Sequence, residues 1–167
     1  MNMKIKNKLI PNPRGKQSGL YIVEFAIVGF AALLILFGSL EVSRMMFTLN
    51  LLEEATRRGA RVAAVCTLNN PAIAEATIFS HDGITSSVLP NLTTANVDIQ
   101  YLSDTGAPIA DTSGNNYYDI AFVRVQIVNY THTMILPGFD LSFETRGYPT
   151  TIPRESLGVS KTSISTC

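Results

Sequence analysis

The chain is short of the residues that most chemistry needs. Of its 167 residues only two are cysteine, Cys66 and Cys167, and only two are histidine, His81 and His132. There is no Cys-x-x-Cys pair, and the histidines stand alone, so no metal-ligand spacing is present. No glycine-rich loop of phosphate-binding form occurs, and no nucleophile elbow or spaced pair of acids stands out. His81 and Asp82 are adjacent, which alone makes no catalytic arrangement. The expectation is a non-enzyme with no cofactor. Net charge is absent as well: the formal value is +0, so no global field draws the chain to nucleic acid.

Acidic residues are missing from the front of the chain. Lys4, Lys6, Lys8, Arg14 and Lys16 all precede the first carboxylate, Glu24. This basic leader, residues 1–19, is polar and broken by Pro11 and Pro13, and it cannot build a core. Residues 20–40 are apolar apart from Glu24. As a helix the run would be about 31 Å long, enough to cross the hydrocarbon of a bilayer. Its basic flank is on the N-terminal side, so the positive-inside rule sets the N-terminus in the cytoplasm and the bulk of the chain outside. A cleaved secretory signal is the competing reading. Its apolar core is shorter, however, and Ser39-Leu40-Glu41-Val42 is a poor cleavage site.

Residues 41–68 hold no proline and continue the helix. Met45, Leu49, Leu52, Thr56, Ala60, Ala63 and Cys66 fall near one face; Glu54, Arg57, Arg58 and Arg61 share another. One helix is therefore expected from about Leu20 to about Leu68. Gly29, Gly38 and Gly59 within it are points of bending or of close helix contact. Asn69-Asn70-Pro71 ends it, and a second helix is predicted from Pro71 to Ser80 or Val88.

Beyond Pro90 the period changes to two. Val97, Ile99 and Tyr101 alternate with polar residues, residues 119–130 alternate again, and Leu141, Phe143 and Thr145 make a third run. Residues 69–167 are thus expected to form an extracytoplasmic α+β domain with a small antiparallel sheet of three to four strands. The tail from Thr150 reads as irregular. The long loop between the first two strand runs carries Asp104, Asp111, Asn115, Asn116 and Asp119. Such oxygen donors suit calcium, although turn chemistry explains the same residues. Outside the cytoplasm Cys66 and Cys167 would form a disulfide closing nearly the whole soluble domain; the alternative is one buried and one terminal thiol.

Glu24 is the most informative residue. A carboxylate inside a spanning segment costs a few kcal/mol unless it has a partner. It follows Gly19-Leu20-Tyr21-Ile22-Val23, where a basic leader ends in glycine and a hydrophobic helix begins at once. This resembles the processing motif of type IV prepilins, which implies cleavage by prepilin peptidase between Gly19 and Leu20. The new amine at Leu20 would be charged at neutral pH and could pair with Glu24 of its own or a neighbouring subunit. Such a pair in an apolar bundle favours one axial register.

Val23-Glu24-Phe25-Ala26, then Glu41, Arg44 and Glu54-Ala55-Thr56-Arg57-Arg58-Gly59-Ala60-Arg61-Val62-Ala63, resemble the TadE-like family of the bacterial tight-adherence (Tad/Flp) pilus system. Ile152-Pro153-Arg154-Glu155-Ser156-Leu157-Gly158 is similar to the same pattern, more weakly. The resemblance implies a minor pilin-like subunit or assembly factor in the inner membrane. The resemblance further implies action there in pilus biogenesis, adhesion and biofilm formation, with Glu24 and Phe25 as register determinants. The implied partners are prepilin peptidase, a TadF-like protein, the Flp major pilin and the assembly platform. The sequence leaves open the TadF-like branch. It also leaves open, from another class, a membrane-tethered binding or sensor domain with no pilus role.

Overall fold

The computed structural model describes residues 18–80, 83–110, 112, 116–135, 141–145, 149–159 and 167. The chain divides into two compact units, Met1–Leu40 and Glu41–Cys167, and helix α1 (Ser18–Val65) contributes to both. In the first unit every residue from Gly19 to Leu40 is exposed or half-exposed. Among the described residues nothing covers this apolar stretch.

In the second unit the amphipathic half of α1 supplies one wall of the core. Leu52, Thr56, Ala60, Ala63 and Cys66 are buried, Met45 and Leu49 are half-buried, and Arg57, Arg58 and Arg61 are exposed, as the helical spacing requires. The buried side is made of small residues, so other elements approach closely. Gly59 shows this most sharply. A Cβ built there would lie 3.0 Å from Thr77 Cβ and would collide with Thr77 Oγ1. Of the two readings of this glycine, close contact applies. The neighbour is α2 (Pro71–Thr77), which begins with Asn70 as N-cap, its Oδ1 accepting from the Ala72 N–H at 3.0 Å, and Pro71 in the first turn.

Both helices stop earlier than the sequence predicts. Helix α1 ends at Val65, not near Leu68, because the C-terminal segment takes its last carbonyls. The N–H groups of Glu155 and Leu157 donate to Ala64 O, and those of Gly158 and the Ser156 hydroxyl to Val65 O. Helix α2 ends at Thr77 because the chain turns at Phe79 (φ 54°) and Ser80 then bridges to Ser86.

The α+β class stands, with five described strands in two antiparallel sheets. The first sheet has the order β1 (Val97–Leu102), β2 (Phe122–Ile127), β5 (Thr150–Pro153). Val97 faces Ile127 in register on one side of β2, and Val123 faces Ile152 on the other. Val123, Val125 and Ile127 point into the core, against Ala60, Ala63 and Ile73 above and Leu52 and Ile78 further along. On the outer face Asp98 accepts from Gln126 at 2.6 Å and Gln100 at 2.9 Å. A one-turn helix α3 (Asn116–Asp119) precedes β2. The alternating run predicted over 119–130 is in fact two strands. Asn129 (φ 54°) breaks it, and β3 (Tyr130–Thr133) leaves to pair with β4 (Ser142–Thr145). Of the segment from Thr150, expected to be irregular, Thr150–Pro153 is strand β5.

Candidate functional site

Gly19 and Leu20 lie in the first turn of α1. Gly19 has no atom within 4 Å of where a Cβ would sit, and its φ is not left-handed. Nothing among the described residues therefore requires glycine there, in contrast with Gly59. Glu24 and Phe25 are both exposed one turn on. Among the described residues Glu24 has no ion pair, and in the uncut chain Leu20 offers an amide rather than an amine. The four residues singled out from the sequence thus sit close together at one helix end.

A second acid on α1 behaves quite differently. Glu41, the first residue past the apolar stretch, is only 5% exposed. Arg44 Nη1 donates to both its carboxylate oxygens at 2.9 Å, and the Ile135 N–H reaches Oε2 at 3.4 Å. His132 Nε2 lies 3.4 Å from Oε1 but makes no hydrogen bond, so this buried nitrogen is left without one. The imidazole stacks on Phe143, with ring centroids 5.8 Å apart. Burial opposes ionisation of Glu41, but the Ile135 N–H and the Arg44 guanidinium outweigh it and hold the carboxyl below its ordinary range. Glu41 lies outside the 20–40 span. It is a clamp that joins α1 to the β3–β4 hairpin. The sequence flagged Glu41 and Arg44 but missed His132, since a lone histidine 91 residues away gives no local signal.

Residues 19–61 match the family model of TadE-like proteins. The match begins at Gly19 and contains Glu24, Glu41, Arg44 and Gly59. No curated protein and no solved structure matches the chain. Gly19–Val65 is, among the described residues, the one helix long and apolar enough to cross a membrane. The TadE-like stretch covers most of it and stops four residues before the tail captures the helix end.

That tail is also joined covalently to the residue that follows α1. Cys66 and Cys167 form a disulfide, with Cα atoms 5.6 Å apart. The Ile152–Gly158 segment, only weakly similar to the TadE-like pattern in sequence, packs directly on the end of the TadE-like helix. Gly158 (φ +77°) is buried there, and its left-handed backbone suits glycine.

The proposed calcium loop is only partly described. Asp111 and Asn115 lie outside the described residues. Asp104 and Asp119 line one surface cavity of about 730 Å³ together with Arg154. Among the described residues no group of three His, Cys, Asp or Glu is placed to hold a metal.

Proposed function

We propose that this chain is a minor pilin-like subunit or assembly factor of the Tad/Flp pilus. In this reading the helix crosses the bacterial inner membrane over residues 20–40, with the basic leader in the cytoplasm and residues 69–167 in the periplasm. Prepilin peptidase removes the leader after Gly19. The amine freed at Leu20 then neutralises Glu24, either within one subunit or between neighbours. The partners are other pilin-like helices, a TadF-like protein and the Flp major pilin among them, together with the assembly platform. The biological outcome is surface adhesion and biofilm formation.

The observation that carries this reading is the TadE-like match opening at Gly19, at the start of an apolar helix whose acid has no ion pair among the described residues. An unpaired carboxylate in hydrocarbon costs a few kcal/mol, and cleavage would supply a cation, the amine at Leu20, one turn from Glu24. The open space around Gly19 adds support. A glycine that its own fold does not need is explained by an external requirement, such as a narrow peptidase subsite.

The test is a pair of substitutions in the producing cells. Gly19→Ile should leave a full-length precursor visible as a slower band. Glu24→Ala should be cleaved normally yet fail to support piliation. Normal processing of Gly19→Ile, or full piliation with Glu24→Ala, would overturn the assignment and leave a tethered binding or sensor domain.

A further inference from the structure

We infer that the β3–β4 hairpin and the first two turns of α1 after Leu40 form an apolar collar that rests on the lipid surface. This rests on the reading that residues 20–40 cross the membrane. Ile135 follows β3 and is 69% exposed, although its N–H is spent on Glu41 Oε2. Glu41 is the next residue after Leu40, where the apolar stretch stops. One hydrogen bond therefore ties Ile135 to the first residue after the apolar stretch. Leu141 is beside it, its carbonyl accepting from the Met134 N–H at 2.9 Å, and is also exposed. On the helix Val42, Met46 and Phe47 are more than half exposed, one turn apart.

The chemistry favours lipid over water or a soluble partner. The helix part of the surface follows the spanning stretch without a break in sequence. Its one cation is Arg44, whose side chain is 40% exposed and uses a single nitrogen on Glu41. The guanidinium keeps further N–H donors for a phosphate at headgroup depth. The exposed carboxylate of Glu144 falls on the face of β4 opposite Phe143, by strand alternation. At the end of the hairpin nearest Glu41, Ile135 and Leu141 expose their side chains while the Ile135 N–H turns to Glu41, the arrangement of an interfacial rather than an aqueous element.

The sequence contains no tryptophan, so a single introduced indole reports alone. The full-length chain carrying Ile135→Trp, or Leu141→Trp as a second probe, is reconstituted in phosphatidylethanolamine/phosphatidylglycerol vesicles. The acyl chains are brominated just below the headgroup. Phe30→Trp reports the span with deeply brominated lipid, and Tyr118→Trp serves as the aqueous control. The collar predicts that both hairpin probes lose most of their emission while Tyr118→Trp keeps it. If Phe30→Trp is quenched and both hairpin probes are not, the collar is wrong and the span stands. Hairpin emission that is blue-shifted but unquenched means a protein covers this surface, and that too overturns the collar. If Phe30→Trp itself is not quenched, the spanning reading fails and the collar with it.

Discussion

Gly59→Ala separates packing from propensity in a single substitution. In an open helix, alanine in place of glycine is favourable by about 0.5–1 kcal/mol. At position 59 the structure reverses the sign. The added methyl would lie 3.0 Å from Thr77 Cβ and 3.1 Å from its Cγ2, and would collide with Oγ1. The hydroxyl cannot easily swing away, because it donates to Ile73 O at 2.6 Å. Both positions are buried, so α1 and α2 must separate to admit the methyl. Overpacking of this kind costs about 1–3 kcal/mol, which leaves a net loss on the order of 1 kcal/mol after the propensity gain. The assay is urea unfolding of the purified protein in detergent, followed by circular dichroism. Thr77→Ala removes the colliding oxygen and methyl, so the double variant should lose less than the two single losses combined, with a coupling of about 0.5–2 kcal/mol. If Gly59→Ala were as stable as the parent or more so, the two helices would not meet at this point.

Three other outcomes are expected. The disulfide links residues 101 apart, and chain entropy alone sets its contribution at up to about 4.7 kcal/mol, with about 2–4 kcal/mol typical. Non-reducing peptide mapping should recover Cys66 joined to Cys167, and dithiothreitol should lower the urea midpoint; an unchanged midpoint would show that the tail is not stapled. Glu41→Ala strips the carboxylate from Arg44 and from the Ile135 N–H, and should cost about 1–3 kcal/mol, read as a lowered midpoint and faster hydrogen exchange at Ile135. Because the folded carboxyl of Glu41 is held below its ordinary 4.5, its ionised form stabilises the fold fully above that value. This contribution fades as pH falls through the lowered folded value. Glu41→Gln should flatten that acid slope, and an identical slope would refute the clamp.

Local pattern made α1 legible. An apolar run followed by a stripe at helical spacing, with no proline, determines a helix whatever surrounds it. The Gly19–Glu24 frame was readable for the same reason, since all its residues lie within two turns. What escaped depends on partners distant in the chain. Strand β5 has four residues and ends in proline, and it is a strand only because β2 offers it a free edge. Helix α1 ends at Val65 because residues some 90 positions later take its carbonyls. The role of Gly59 was half legible: glycine announces bending or contact, and only Thr77 decides between them. His132 was dismissed as isolated because its neighbour Glu41 is brought to it by tertiary structure alone. Asp111 and Asn115 of the proposed calcium loop lie outside the described residues.

The most direct measurement is the N-terminal sequence of the protein extracted from the membranes of a cell with an active prepilin peptidase. The pilin-like account predicts a chain beginning Leu-Tyr-Ile-Val-Glu, with Leu20 first. A membrane-bound chain that still begins with the lysine-rich leader would contradict it.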